Sequence, residues 1–156
     1  MNPISVGASA PDFQLPRKIG EPPFRLSDQR GKFVVVLFFP LAFSGVCTKE
    51  LCQVRDEWDL WRELDAVVVA ISVDSAFTNH RFAQETKAPF PVLSDFNREA
   101  CTAYGVRNDD YFGMRGVAQR SAFVVDANGV IRFAWVEEED GSLPDFQQLR
   151  RALAAG

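Results

Sequence analysis

At 156 residues, 47% hydrophobic and 24% charged, the chain has the balance of a globular domain of ordinary size. That balance excludes an intrinsically disordered, collagenous or coiled-coil chain. Seventeen basic against twenty-one acidic residues, formally −4, lack the basic excess of a nucleic-acid binder. The longest apolar run, 33–39, falls far short of the ~20 residues that span a bilayer. Residues 1–10 show neither the basic nor the apolar region of a signal peptide. A cytoplasmic protein with no membrane and no nucleic-acid partner is therefore expected, as one domain over 1–156.

In chain order, Ala10 to Arg25 is broken by Pro11, Pro16, Gly20, Pro22 and Pro23. Phe13, Leu15, Phe24 and Leu26 flank the breaks, the pattern of a short hairpin or edge strands. Lys32 to Phe39 is continuously apolar and β-branched, which predicts a strand buried on both faces and ended by Pro40. From Ser44 the period changes. Leu51, Val54, Trp58, Trp61 and Leu64 recur every three or four residues among charged positions. The spacing predicts an amphipathic helix of about 18 residues with Ser44 or a neighbour as its cap.

Ala66 to Val73 reads as a second buried strand, and Phe77 to Lys87 as a helix. A short extended Val92-Leu93 follows, then a shorter helix over Arg98 to Tyr104 stopped by Gly105. Gly113 to Gly116 lies in a loop. Ser121 to Asp126 is a third strong strand, and Asn128-Gly129 signals a hairpin into Val130 to Val136. Glu137 to Gly141, including Asp140, reads as a solvated acidic loop. Leu143 to Ala155 closes the chain as a helix with Phe146, Leu149 and Leu153 on one face. Buried strands alternating with helices predict an α/β protein with a central mixed sheet flanked by helices.

The three cysteines, Cys47, Cys52 and Cys101, do not suggest a disulfide framework in such a chain. Packing, metal binding and redox chemistry remain. Cys47 falls just after the first buried strand, in the first turn of the long helix. Helix N-termini carry unpaired N–H groups and about +0.5 of a charge, which stabilise a thiolate. Apolar Phe38, Phe39 and Phe43 act in the opposite sense, and a nearby cation would decide the balance. Cys52 is five residues on, about 140° around the helix, with its Cα over ~8 Å away. That exceeds the ~7 Å reach of a disulfide, so a Cys47–Cys52 bond requires the first helical turns to unwind. His80, the single histidine, sits in a polar helix, and with two cysteines on one helical segment it makes a poor metal site. No metal or other cofactor is expected.

Pro40-Leu-Ala-Phe-Ser44-Gly-Val-Cys47 resembles the active-site pattern of the peroxiredoxins: Pro, three residues, Thr or Ser, two residues, Cys. Cys47-Thr-Lys-Glu-Leu-Cys52 is similar to the Cys-x4-Cys of the PrxQ or bacterioferritin-comigratory-protein subgroup. Gln119 to Asp126 resembles the family's arginine-containing strand, and Val6 to Phe13 its N-terminal signature. Phe39 to Cys47, with Leu93-Ser-Asp-Phe96 and Ala103-Tyr-Gly-Val106, is also similar to the AhpE subgroup.

The resemblance implies a thioredoxin-like fold with an N-terminal β extension. It implies a thiol-dependent peroxidase in which the Cys47 thiolate attacks a peroxide O–O bond and becomes a sulfenic acid. The backbone N–H groups of Val46 and Cys47, the Ser44 hydroxyl and the Arg120 guanidinium would stabilise charge on the reacting oxygens. Pro40 would shield the sulfur from water, and Glu50 would orient the arginine. Cys52 is the expected resolving thiol, Cys101 a weaker candidate, and AhpE-like enzymes suggest a one-cysteine cycle instead. No cysteine follows Cys101, so a C-terminal resolving cysteine is not expected. The reductant would be thioredoxin, a glutaredoxin-like protein or a low-molecular-weight thiol. The assembly would be a monomer or a homodimer, with Phe43 and Phe112 bordering the pocket or the dimer face. The rivals are a thioredoxin-like disulfide oxidoreductase, which would favour Cys-x-x-Cys, and a non-enzymatic redox sensor or holdase.

Overall fold

The continuous apolar runs become the middle of one sheet. In the computed structural model, which describes residues 2–139 and 141–155, β3 (Val34–Phe38), β4 (Val67–Ser72) and β8 (Ser121–Val125) are adjacent. β5 (Val92–Ser94) and β9 (Ile131–Val136) form the edges, in the order β5-β4-β3-β8-β9. The β3–β4 and β4–β5 pairs are parallel, whereas β3–β8 and β8–β9 are antiparallel, as a mixed sheet requires. Asp140 of the acidic loop lies outside the described residues.

Strand alternation divides the core in two. Val34, Val36 and Phe38 of β3 join Phe13, Cys101, Tyr104 and Phe123 on one face. Val35 and Leu37, with the following Phe39, join Cys47, Leu51, Trp61, Phe82 and Leu149 on the other. The second face is covered by α1 (Gly45–Asp56), α2 (Trp58–Glu63), α3 (Ala76–Thr86) and α5 (Phe146–Ala154). The first is covered by α4 (Glu99–Ala103) and the N-terminal hairpin of β1 (Gln14–Leu15) and β2 (Phe24–Arg25). The hairpin is the expected extension.

The β8–β9 turn forms where Asn128-Gly129 predicts it. Asp126 Oδ1 accepts the Asn128 and Val130 amides, both at 2.9 Å, and Gly129 takes the left-handed backbone (φ 84°) that closes such a turn.

Two expectations about elements change. The long helix after Ser44 is interrupted at Glu57, whose ψ of 17° ends α1 and starts α2. The break lets Trp61 pack edge-on against Phe146 at 6.0 Å, with Arg150 over its ring, while Glu57 itself pairs with Arg150 at 2.8 Å. Tertiary packing here outweighs the continuous helical period. The loop around 113–116 is framed by two short strands the sequence does not signal, β6 (Arg107–Asn108) and β7 (Val117–Ala118), which pair antiparallel.

Candidate active site

Register brings the site together. Phe38, the last residue of β3, pairs with Ser121, the first of β8. Arg120 therefore stands beside the end of β3, where the chain turns through Pro40 into α1. Ser121 also pairs with Val136, the last residue of β9, so Glu137 lies next to Arg120 and its amide donates to the Arg120 carbonyl at 2.9 Å. Cys47 and Glu50 of the following helix thus converge with Arg120 and Glu137, about 70 or more residues on, at one end of the central strands.

Cys47 is fully buried at the third position of α1. Arg120 Nη2 donates to Cys47 Sγ at 3.2 Å, and Nη1 donates to Glu50 Oε1 at 2.6 Å. Cys47 and Glu50 are three apart on one helix, so both face the same guanidinium. A fixed cation therefore meets the sulfur, the arrangement that suits a thiolate. The first amide that α1 itself satisfies is that of Thr48, bonded to the Ser44 carbonyl at 3.0 Å. The amides of Gly45, Val46 and Cys47 precede the ladder and add their partial positive charge beside the sulfur.

Ser44 occupies the cap position with extended backbone (φ −74°, ψ 150°). Its hydroxyl makes no capping bond and instead donates to the Leu41 carbonyl at 3.1 Å. The expected side-chain cap is therefore not formed, because the hydroxyl is drawn into the Pro40–Ser44 loop. Pro40 is buried at the end of β3. Phe43 adopts a left-handed backbone (φ 69°) and packs on Phe82 at 5.1 Å. That conformation costs a side chain about 1–2 kcal/mol, so the loop needs an anchor.

Asp74 supplies it. Its Oδ2 accepts the Ala42 amide at 2.8 Å and the Ser72 hydroxyl at 2.7 Å. Ser94 Oγ donates to the Asp74 carbonyl at 2.6 Å, and Asn79 Nδ2 donates to the Leu93 carbonyl at 2.9 Å. This polar network at the ends of β4 and β5 fixes the loop in front of Cys47. Sequence reasoning passes over Asp74, since a single acid after a strand carries no spacing signal.

Glu137 corrects the reading of a wholly solvated acidic loop. Its side chain is 8% exposed and its Oε2 lies 3.4 Å from Arg120 Nε. Strand pairing, which pulls residue 137 against 120, accounts for its burial. Glu50 is fully buried. Burial pushes its carboxyl from an ordinary 4.5 up to about 7; Arg120 offsets the rise only in part, and Glu137 adds to it. For Arg120, burial acts downward, but Glu50 and Cys47 outweigh it and raise the pKa above its ordinary value, so the side chain stays cationic.

Cys52 is half-buried on α1 and borders a cleft of about 180 Å³ with Phe43, Thr48, Phe82 and Glu85. All three cysteines are free thiols. Cys101 belongs to the core on the other face of the sheet from Cys47. Burial, with Asp95 beside it, pushes its thiol up to about 12. Among the described residues no group of three His, Cys, Asp or Glu side chains is placed to hold a metal ion. None of their helices is long and apolar enough to cross a membrane.

The profile of the AhpC/TSA family matches residues 6–134. Alkyl hydroperoxide reductase E of Mycobacterium tuberculosis is 41% identical over 155 residues, which cover 97% of each chain. The putative peroxiredoxin bcp of Coxiella burnetii is 39% identical over 135 residues, 85% of this chain and 88% of the relative. Among solved structures, peroxidoxin BcpB from Mycobacterium tuberculosis superposes with a TM-score of 0.84 at 29% identity, covering 96% of each chain. The fold is accordingly that of the thioredoxin-like peroxiredoxins, between the AhpE and PrxQ types, and the chain belongs to the AhpC/TSA family of peroxiredoxins, enzymes that reduce peroxides at the expense of a thiol.

Proposed function

We propose that Cys47 is the peroxidatic nucleophile and Cys52 the thiol that resolves it. The observation that carries this reading is the 3.2 Å bond from Arg120 Nη2 to Cys47 Sγ at the start of α1. The Cys47 thiolate attacks the nearer oxygen of a hydroperoxide. The S–O bond forms as the O–O bond breaks, sulfur is oxidised to sulfenic acid, and the departing oxygen takes a proton to leave as water or an alcohol. Charge spreads over both oxygens in this displacement. The Arg120 guanidinium and the amides of Val46 and Cys47 are the donors at hand to stabilise it, and the Ser44 hydroxyl joins them by turning away from the Leu41 carbonyl. Glu50 keeps Arg120 aimed, and Pro40 limits water.

In the second step Cys52 attacks the sulfenic sulfur, giving a disulfide and one water. Two thiols of a reductant then return both cysteines to the reduced state. Free Cys52 at a cleft five residues from Cys47 supports this route. Cys101, across the sheet and held protonated by its surroundings, suits packing. The reductant we propose is thioredoxin or a glutaredoxin-like protein, in the cytoplasm, with the whole chain acting as one domain. The reading admits a monomer or a homodimer that covers exposed Phe112, which equilibrium sedimentation separates.

Mass spectrometry after one equivalent of hydrogen peroxide tests the cycle. A Cys47–Cys52 disulfide is expected. A stable Cys47 sulfenic acid with Cys52 still free would leave the direct, one-cysteine route. Slow peroxide consumption by the reduced protein would remove the enzyme reading altogether.

A further inference from the structure

We propose that Glu137 is a positioning residue that holds the Nε side of Arg120 and so completes the clamp that aims the guanidinium at Cys47. Three directions of the planar fork are occupied. Nη1 meets Glu50 at 2.6 Å, Nη2 meets Cys47 Sγ at 3.2 Å, and Nε faces Glu137 Oε2 at 3.4 Å. Cys47 and Glu50 both belong to α1 and grip the guanidinium from one side. Glu137, the residue after β9, meets the guanidinium at Nε, so the fork is contacted from two elements and its rotation away from the sulfur is opposed by both.

The backbone fixes Glu137 for this work. Its amide donates to the Arg120 carbonyl at 2.9 Å, and its own carbonyl accepts Gln119 Nε2 at 2.8 Å. Two hydrogen bonds thus tie residues 119–120 to the backbone of residue 137. A carboxylate buried to this degree is tolerated when an opposite charge meets it, here the Arg120 guanidinium through Nε. The charged and titratable groups around it are Arg120, Glu50 and Cys47 on the inner side. On the outer side, Asp110, Tyr111 and Glu138 line the same cleft as Glu137.

The clamp carries more negative than positive charge when all its acids are ionised. That surplus is consistent with the raised carboxyl of Glu50, to which Glu137 contributes. Glu137 therefore acts on geometry and charge together: it steadies Arg120 and adds to the burial that keeps the proton on Glu50.

This inference rests on the reading of Cys47 as nucleophile, and Cys47→Ser tests that reading separately by abolishing peroxide-dependent thiol loss. For Glu137, stopped-flow peroxide reduction is followed from pH 5 to pH 9 in wild type, Glu137→Gln, Glu137→Asp and Glu50→Gln. Folding is monitored on the same samples by circular dichroism. Glu137→Gln is expected to stay folded and to react about 10- to 100-fold more slowly, the scale of a misplaced catalytic group. The rate step near pH 7 that Glu50→Gln removes should move to lower pH in Glu137→Gln, and Glu137→Asp should restore part of the rate. A Glu137→Gln protein with wild-type rate and an unmoved step overturns the proposal. So does a rate loss that only follows a loss of folded protein.

Discussion

Arg120 carries three kinds of contact at once, and its geometry is as important as its charge. A guanidinium offers a rigid planar set of donors, whereas a lysine ammonium offers a compact charge on a flexible stem. Arg120→Lys should therefore keep the protein folded yet slow peroxide reduction by about 10²-fold or more, in line with the loss of one oriented donor to a developing oxyanion. Stopped-flow rates compared at equal folded fraction check this. Glu50 leads to a different measurement. Unfolded, its carboxyl ionises near 4.5; folded, near 7. Below about pH 4.5 both states keep the proton and the group costs nothing. Between about 4.5 and 7 the unfolded chain releases it first, so stability falls as pH rises, and above 7 the loss is constant. Glu50→Gln should remove that part of the slope. Urea melts of both proteins at pH 4.5 and pH 7 read it, and an equal slope in the two would count against a raised Glu50.

At the scale of elements, the link between chemistry and structure is α1. Both cysteines of the proposed pair lie within its regular span, with Cα atoms over ~8 Å apart by helical geometry. Formation of the proposed disulfide would therefore unwind the helix start. Far-UV circular dichroism should lose helix on peroxide addition, and amide hydrogen exchange should accelerate over residues 45–52. Cys52→Ser should show neither change. Asp74→Ala should loosen the Pro40–Ser44 loop by removing the acceptor of the Ala42 amide, at a cost of roughly 1–3 kcal/mol in urea melts, with slower peroxide reduction.

The strands and the hairpin were readable because β-branched runs and Asn-Gly carry local signals. Cys47, Ser44, Pro40 and Arg120 were readable as a spaced pattern. Glu137 and Asp74 were not. The charge run 137–140 looks like a solvated surface, and only the pairing of Val136 with Ser121 turns its first residue inward. Asp74 meets Ala42 across 32 residues, a separation no local rule spans. The break at Glu57 belongs to the same class, since it answers to Phe146 and Arg150.

Over the whole molecule, the sheet is a partition. Cys47 and the helices around it occupy one face, and Cys101 is sealed on the other. Maleimide labelling should reach half-buried Cys52 first and Cys101 only on global unfolding, with the Cys101 rate tracking the unfolded fraction across urea. Equal native-state labelling of Cys52 and Cys101 would show the partition to be open.

The register that joins Phe38 to Ser121 also sets an order in time. Arg120 comes 73 residues after Cys47, and synthesis runs from the N-terminus. A growing chain exposes its thiol well before it owns the cation that the thiol faces, and Glu137 arrives later still. If Cys47 is the nucleophile we propose, its chemistry is made early and completed late: an incomplete chain carries the thiol without the guanidinium that faces it.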